Sequence, residues 1–534
     1  MKKSLFLLFS LAAAFTVNAQ QYFFTPEGNG DGDGSSWENA AAGEYLGATI
    51  TSAEAGTEFY LMEGNYAPDA TTNKWDIAQG VIIKGGYPTT MTGTDTDIDY
   101  STAGQSVFSA DLDNDGKGDN SDYAFVYVGM PDKYAHKENQ EDNQFYKDVP
   151  LTQIWGVTFR DGARQDGKYW GNMLFAKHTQ LDLHFCKFIN NVAPEGQNNA
   201  AIVSWGSQLR VFDCVFEDNK GVGAGSAVLL RARASNSSNK EISHNQIALF
   251  ERCEFTNNTC TGGYGGTVSV ADCAGTLYMI NCTVTGSSVV YGGAVALGGS
   301  GDDGINAPKA YLINNTFVDN VATRAGNWIG GGYRAGKFST TYFANNIMVN
   351  PSAKDVYNPG ESVVDIQWAT AKYYSAGYNI FGTFTEKADD CGTFETTDKV
   401  TSENDINTLE KIFGTATLSD NGGFSKSFSP LAEQATTLSV ADLQAAVATW
   451  NMETAVTDVM DLTLDQRGYT RASTTMAGSI DIAAEAPVLS AIENVTINTI
   501  QDGIYYTLQG QAMGKDFNVL PNGLYICNGK KFVK

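Results

Sequence analysis

The sequence predicts an all-β protein: a right-handed, single-stranded parallel β-helix with three strands per coil, followed by a small C-terminal β unit. Two observations predict this fold. A segment of eight residues recurs six times at spacings typical of a solenoid. The 534 residues also include 56 glycines but only 12 prolines, a balance typical of an all-β chain with many tight turns. Such an array grows coil by coil, so its length does not require several domains.

The first 19 residues are predicted to be a secretory signal peptide. Lys2 and Lys3 form a basic start, residues 5–15 form a short apolar core, and residues 17–19 offer a cleavage position. The apolar core is too short to cross a membrane, and no later stretch reaches the roughly 18 apolar residues of a transmembrane helix. We therefore expect a bacterial protein that is secreted or held at the outer membrane or cell surface.

Each repeat is interpreted as a strand, a polar corner and a second short strand that ends in an apolar anchor. Alternation of apolar and polar residues with period two indicates strands whose anchors point inward. The corner residues tolerate the left-handed conformation that a bend requires; they are Asp213, Asn281, Asn314 and Asn345. The anchors lie between 28 residues (188 to 216) and 39 residues (216 to 255) apart; they are Phe159, Phe188, Phe216, Phe255, Val284, Phe317 and Met348.

Two further columns support the same register. Asparagine recurs three residues after the anchor, at 191, 219, 258 and 320, where stacked amides can form a hydrogen-bonded ladder. A glycine-opened segment follows at 265–268 and 292–295 and predicts the third strand of each coil. Three strands per coil also leave few open sheet edges.

Four of the eight cysteines share one column of the repeat, two residues before the anchor: Cys186, Cys214, Cys253 and Cys282. Metal or redox chemistry is one interpretation, but ligands in a single column do not converge on an ion. Buried thiols that act as small apolar groups are the preferred interpretation. Cys260 and Cys273 lie in one coil and could form a disulfide, which an exported protein permits.

The Phe-x-x-Asn pairs and the Gly-Gly-Ala-Val at 292–295 resemble the polymorphic outer-membrane protein family of surface β-helices. Gly-Ser-Ser-Trp at 34–37, Gly-Asn-Tyr at 64–66 and residues 81–87 are similar to the first coils of bacterial exported β-helix proteins. Asp-Gln-Arg-Gly at 465–468, continuing to Ile482, looks like their last coil. The resemblance implies a β-helix domain over residues 20–486.

The end of the chain has a different pattern. Residues 505–511 and 520–526 read as short strands, and the sequence closes on Asn-Gly-Lys-Lys at 528–531. This is similar to the C-terminal sorting tails of type IX (Por) secretion substrates. The resemblance implies a small sorting or anchoring tail over residues 487–534.

An acidic loop predicts a structural Ca²⁺ ion. Carboxylates occupy positions 1, 3, 5, 9 and 12 of a twelve-residue loop, with Gly116 at the turn. This spacing lets a chain wrap oxygen ligands around Ca²⁺. The alternative is a solvated acidic turn between coils. The five predicted ligands are Asp111, Asp113, Asp115, Asp119 and Asp122.

Known catalytic patterns of β-helix enzymes are largely missing. Asp302 and Asp303 resemble the paired aspartates of polygalacturonases, in which two carboxylates act as acid and base. Those enzymes need a histidine further along the chain, but all four histidines (136, 178, 184 and 244) come earlier. The Arg-x-Pro-x-x-Arg pattern of pectate lyases is also absent. Asp302 and Asp303 are therefore interpreted as a turn.

One surface is predicted to bind a ligand. The chain has 35 basic and 60 acidic side chains, a net charge of −25, which argues against nucleic acid as a partner. Even so, the third strands should place three residues in one outward column: Lys177, Trp205 and Arg231. Tryptophan stacks on sugar rings, and lysine or arginine pairs with carboxylate or sulfate. Further residues expected nearby are His178, Arg233, Lys240 and His244.

Three functions fit this sequence. The first is a non-enzymatic, adhesin-like protein, expected to be monomeric, that binds extracellular glycan or another surface polymer through its lateral face. The alternative is a lyase of uronic-acid polysaccharides, with Lys177, His178 or His244 as the base. A passive surface-layer component would need neither site. A flat face without a cleft would favour binding over chemistry.

Overall fold

A computed structural model of the chain describes most of its length. The described residues are 20–69, 71–113, 124–129, 149–163, 171–193, 200–232, 246–262, 265–271, 273–290, 292–298, 307–323, 333–335, 338–350, 364–366, 371–382, 384–386, 392–400, 406–415, 417–487, 505–507, 512–514, 524–527 and 530–533. The predicted signal peptide lies outside these ranges. By their contacts the residues divide into two compact units, Met1–Glu485 and Ala486–Lys534.

The first unit is built from short parallel strands. In chain order they are β1 (Gln21–Thr25), β2 (Ala41–Ala42), β3 (Glu58–Met62), β4 (Gly64–Tyr66), β5 (Lys74–Ile77), β6 (Ile82–Tyr87), β7 (Ser106–Ser109), β8 (Phe125–Gly129), β9 (Thr152–Trp155), β10 (Val157–Arg160), β11 (Gly171–Lys177), β12 (Gln180–His184), β13 (Lys187–Ile189), β14 (Ala200–Trp205), β15 (Gln208–Phe212), β16 (Val215–Glu217), β17 (Lys220–Gly221) and β18 (Val228–Leu230). The next are β19 (Ile247–Glu251), β20 (Glu254–Thr256), β21 (Thr259–Cys260), β22 (Gly266–Ala271), β23 (Thr276–Ile280), β24 (Thr283–Thr285), β25 (Ser288–Val289), β26 (Gly292–Gly298), β27 (Lys309–Ile313), β28 (Thr316–Val318), β29 (Val321–Ala322), β30 (Tyr333–Ala335), β31 (Thr340–Ala344), β32 (Ile347–Val349), β33 (Val364–Ile366), β34 (Lys372–Ser375), β35 (Ile380–Phe381), β36 (Phe384–Glu386) and β37 (Lys399–Val400).

These strands form three long parallel sheets. Sheet A has 12 strands, sheet B has 11 and sheet C has 10, and a 4-stranded ribbon of β17, β21, β25 and β29 lies between B and C in the middle coils. From β3 to β36 the chain visits A, B and C in turn, and each visit adds one strand to each sheet. Parallel strands joined in this way give a right-handed solenoid. The predicted all-β fold with three strands per coil is confirmed.

The predicted anchors fill the lumen of the solenoid. Neighbouring anchors pair directly in sheet B, as in Phe188 with Phe216 and Phe216 with Phe255, and none of the seven is exposed to solvent. The rings stack, with centroids 5.0 Å apart for Phe188 and Phe216 and 4.6 Å apart for Phe216 and Phe255. Phe108 and Phe381 extend the column at its two ends.

The corner and asparagine columns also follow the prediction. The corners have the left-handed φ values expected of a bend, from 52° at Asp213 to 56° at Asn345. The side-chain amide of Asn191 donates to Asn219 at 2.9 Å, and Asn219 donates to Asn258 at 2.9 Å. Each rung satisfies a buried amide that would otherwise be costly to bury.

The cysteine column is buried and reduced. Cys186, Cys214, Cys253 and Cys282 have no exposed surface, and burial raises the pKa of the Cys214 and Cys253 thiols. In the next coil the same column holds Asn315, whose side-chain oxygen accepts the Cys282 N–H at 2.9 Å. The thiols therefore serve as small core groups. The predicted option of a disulfide does not occur, since no S–S bond joins Cys260 to Cys273.

The prediction that residues 465–482 form the last coil of the β-helix is wrong. The solenoid ends with β37, and the segment 406–485, here called the C-terminal strap, turns back along its outside. It carries α2 (Ile406–Phe413), β38 (Ala435–Ser439), α3 (Val440–Ala448), α4 (Thr454–Thr457) and β39 (Thr474–Met476); a short α1 (Leu46–Thr51) occurs near the start of the chain.

The strap follows apolar residues on the outer faces of two sheets. On sheet A, Leu443 and Val456 of the strap pack with Tyr278, Tyr311 and neighbouring residues. On sheet B, Leu409, Ile412 and Phe413 pack with Ile347 and Val349. Burying these outward residues explains why Asp465 to Ile482 lies against the middle coils instead of adding a coil.

The second unit contains a 4-stranded antiparallel sheet of β40 (Tyr505–Thr507), β41 (Ala512–Gly514), β42 (Leu524–Cys527) and β43 (Lys530–Val533). Its predicted role as a sorting tail stays a prediction. Across the described part of the chain, no helix is long and apolar enough to cross a membrane.

Candidate functional site

The predicted column of cationic and aromatic residues lies at the end of sheet C. Lys177 of β11 pairs in register with Trp205 of β14. Arg231 directly follows β18, and its N–H donates to the carbonyl oxygen of Ser204 at 2.9 Å. The three side chains therefore follow one another on adjacent coils, about 4.8 Å apart.

Small residues bound this column on both sides. Gly129 pairs with Lys177 on the preceding coil. After Arg231 the corresponding position is Ala271, which pairs with Gly298 of the next coil. The large side chains are thus confined to three coils, a length of roughly 10 Å between the first and the third. We call Lys177, Trp205 and Arg231 the sheet C column.

The expectation that the whole column is exposed is wrong for Lys177. This side chain is only 6% exposed, whereas Trp205 and Arg231 are half-buried. The reason lies in the outward residues of the same sheet, because Phe175 and Val203 belong to a second apolar cluster that is itself buried. Lys177 lies two residues beyond Phe175 on that face, and Trp205 packs against the cluster.

His178 forms the bend that follows Lys177. It adopts a left-handed φ of 48°, and its N–H donates to the carbonyl oxygen of Trp205 at 2.9 Å. The ring is buried, and its Nε2 atom has no hydrogen-bond partner. Burial, reinforced by the charge of Lys177, lowers the pKa of His178 to about 4, so the imidazole is neutral at pH 7.

The remaining predicted site residues are not brought together by the described structure. Arg233, Lys240 and His244 lie outside the described residues, as do Asp115, Asp119, Asp122, Asp302 and Asp303. Of the five predicted calcium ligands, Asp111 is half-buried and Asp113 exposed just after β7. The Ca²⁺ ion therefore stays a prediction.

His184 lies on sheet A in a stack of rings. Its imidazole lies between Trp155, at 3.7 Å between ring centroids, and Phe212, at 4.8 Å. Burial lowers the pKa of His184 to about 3, and the positive charges of Arg210 and Arg252 add to the effect. The ring is therefore a neutral element of this stack.

The substitution His184→Phe is expected to reduce the loss in the free energy of unfolding that occurs when the pH falls from 8 to 5. The pKa is about 3 in the folded protein against an ordinary value of 6.5, so between these values the unfolded chain binds the extra proton. Stability from this group is present above pH 6.5 and is lost as pH falls. The loss reaches about 2 kcal/mol at pH 5. Urea unfolding at pH 8 and pH 5 measures it, and an equal loss in wild type and variant would refute the assignment.

Comparison with known proteins adds little to this site. No protein-family model matches the chain, and no curated protein sequence matches it. Among solved structures, the chain is similar to the pectate lyase Pel9A, with 15% identity and a TM-score of 0.35 over 77% of this chain and 96% of that one. It is also similar to a rhamnogalacturonan lyase, with 13% identity and a TM-score of 0.29 over 82% of this chain and 100% of that one. These values are too low to transfer a residue role.

Proposed function

We propose that this protein binds an acidic extracellular polysaccharide along the sheet C column and does so without chemical change of the polymer there. The observation that carries the proposal is the placement of Lys177 and Arg231 on either side of Trp205, on consecutive coils of a chain with a net charge of −25. Two cations within roughly 10 Å of each other are unusual on such an acidic protein. They favour a ligand that carries its own negative charges.

The half-buried members of the column would make the direct contacts. Trp205 offers an aromatic surface to a sugar ring, and Arg231 can hold a carboxylate or sulfate with two parallel hydrogen bonds. Lys177 is only 6% exposed, so it would add positive charge to this end of the sheet with little direct contact to the ligand. The three coils span a length suited to a few sugar units.

Trp205→Ala is expected to weaken binding to immobilised polygalacturonate by about tenfold, in line with a loss of 1–2 kcal/mol of aromatic contact. Tyr45→Ala is the matched control, because Tyr45 is an exposed aromatic residue (58%) near the start of the chain. Retention of wild type, Trp205→Ala and Tyr45→Ala on immobilised polygalacturonate, measured at two salt concentrations, tests this. Equal retention of Trp205→Ala and wild type would show that the sheet C column is not the binding surface.

A second candidate function is elimination by a polysaccharide lyase at the same column. The observation in its favour is the unpartnered Nε2 of His178, a neutral imidazole beside Lys177, although a pKa of about 4 makes this ring a weaker base than an ordinary histidine. Unsaturated products absorb in the ultraviolet, so incubation with uronic-acid polymers separates the two functions. Product formation that is lost in His178→Ala or Lys177→Ala would establish the lyase and overturn binding without chemistry.

A further inference from the structure

A groove lies away from the sheet C column, between the outer face of sheet B and the C-terminal strap. It encloses about 260 Å³ and opens between strands β13, β16 and β20 and the strap residues 420–426. Its walls carry charges of both signs and one aromatic ring; the residues are Lys187, Glu217, Glu254, Asp420, Phe424 and Lys426. A concave site with a few converging polar groups is the usual form of a small-ligand site.

Two carboxylates of this groove come from neighbouring coils. Glu254 pairs directly with Val215, and Glu217 lies two residues further along the same strand as Val215. From the spacing between strands and the rise along them, the backbone positions of the two glutamates are roughly 8 Å apart. The two side chains leave the same face of sheet B on neighbouring coils, so both carboxyl groups can reach one ligand in the groove.

The two carboxylates have different surroundings. Glu254 is 3% exposed, and its two oxygens accept hydrogen bonds from the Thr256 hydroxyl and the Lys426 N–H, both at 2.7 Å. Burial raises the pKa of Glu254, and the charge of Glu217 adds to this, whereas the contacts with Thr256 and Lys426 lower it. Glu217 is half-buried, and no side-chain hydrogen bond to its carboxylate occurs among the described residues. For Glu254 to act as an acid, the oxygen that faces Thr256 would have to carry the proton while the other still accepts the Lys426 N–H. Glu217 is the accessible carboxylate of the pair.

The other walls indicate what the groove would hold. The ammonium of Lys187 lies 5.3 Å from the centre of the Phe424 ring, and Lys426 is exposed at the rim. Two ammonium groups beside an apolar ring fit a sugar that carries a carboxylate. Lys187 and Lys426 could pair with a carboxylate on the sugar, while the three carboxylates of the groove, Glu217, Glu254 and Asp420, would face the rest of the ring.

We propose that this groove hydrolyses a glycosidic bond in oligosaccharides that contain uronic acid, with Glu254 as the general acid and Glu217 as the general base. Glu254 transfers its proton to the glycosidic oxygen as the bond from that oxygen to the anomeric carbon breaks. A water molecule forms the new bond to the anomeric carbon, and Glu217 takes its proton. One water is consumed, and the products are a new reducing end and a free hydroxyl. Glu217 then releases its proton to solvent, and Glu254 regains one.

The experiment incubates the full chain with polygalacturonate, alginate and neutral xylan and follows new reducing ends together with ultraviolet absorbance. We expect reducing ends from an acidic polymer without unsaturated product. Glu217→Gln should lower the rate by about 100-fold or more, the usual range for a general base. Glu433→Gln, at an exposed position of the strap, is the matched control and should keep the wild-type rate.

Glu217→Gln is the deciding variant, because Glu254 also holds the strap through the Lys426 N–H and its loss could loosen the fold. The melting temperatures of Glu217→Gln and Glu254→Gln show whether either change loosens the fold. Absence of new reducing ends from all three polymers would overturn the proposal, and so would an unchanged rate in Glu217→Gln. Neither result bears on the sheet C column, whose binding is measured separately with Trp205→Ala.

Discussion

Replacing Phe216 with alanine is expected to lower the free energy of unfolding by about 3–5 kcal/mol, the range for a large ring removed from a packed core. Phe216 has no exposed surface. Its ring stacks on Phe188 and Phe255 and meets the edge of Phe250 at 6.1 Å between centroids. The surrounding core residues come from three sheets whose strands are held by backbone hydrogen bonds, so they cannot easily move inward to close the cavity.

Urea unfolding of wild type and Phe216→Ala measures this loss. Tyr45→Ala is the control, since an exposed ring should change stability by no more than about 0.5 kcal/mol. A loss below 1 kcal/mol would mean that Phe216 does not occupy the lumen. A register shifted by one residue would have that consequence, because it moves every inward side chain to the outer face.

Replacing Arg471 with alanine should cost about 2–4 kcal/mol, because several buried oxygen atoms lose the charged donor that satisfies them. The guanidinium of Arg471 is 5% exposed. Its Nη2 donates to the side-chain oxygen of Asn281 at 2.8 Å, and its Nε donates to the carbonyl oxygen of Leu464 at 3.1 Å. Arg471 thereby joins the strap to a corner of the solenoid.

The strap should respond to this change before the coils do. Limited proteolysis of Arg471→Ala is expected to cut within residues 406–485 while the coils stay intact, and urea unfolding gives the overall loss. Lys309→Ala, which removes an exposed cation from sheet A, is the matched control. First cuts within the coils, or a loss no greater than that of the control, would contradict the assigned role of Arg471.

The repeat made the lumen predictable from the sequence. Phe216 and Asn219 could be placed because the same residue types return at the same position in each coil, so their register needs only local spacing. Asn281 was also assigned correctly to a corner. What local spacing could not reveal is its contact with Arg471, which lies 190 residues later in the chain.

The outer surface was harder to predict, because its partners come from outside the repeat. Lys177 has the alternation of an outward residue, yet the apolar residues beside it on sheet C bury it. Glu217 and Glu254 flank two anchors in the sequence and carry no motif. They become a groove only when strap residues such as Phe424 lie across sheet B.

The sheet C column is proposed above to bind an acidic glycan. The most direct measurement is calorimetric titration of galacturonate oligomers into wild type and Arg231→Gln, followed by examination of the ligand for unsaturated ends. We expect wild type to bind, with affinity falling as salt is raised, and Arg231→Gln to bind about tenfold or more weakly, as the loss of a charge-assisted hydrogen bond requires. The recovered ligand should carry no unsaturated ends. Equal affinity of the two proteins, or unsaturated product formed by wild type, would contradict the claim.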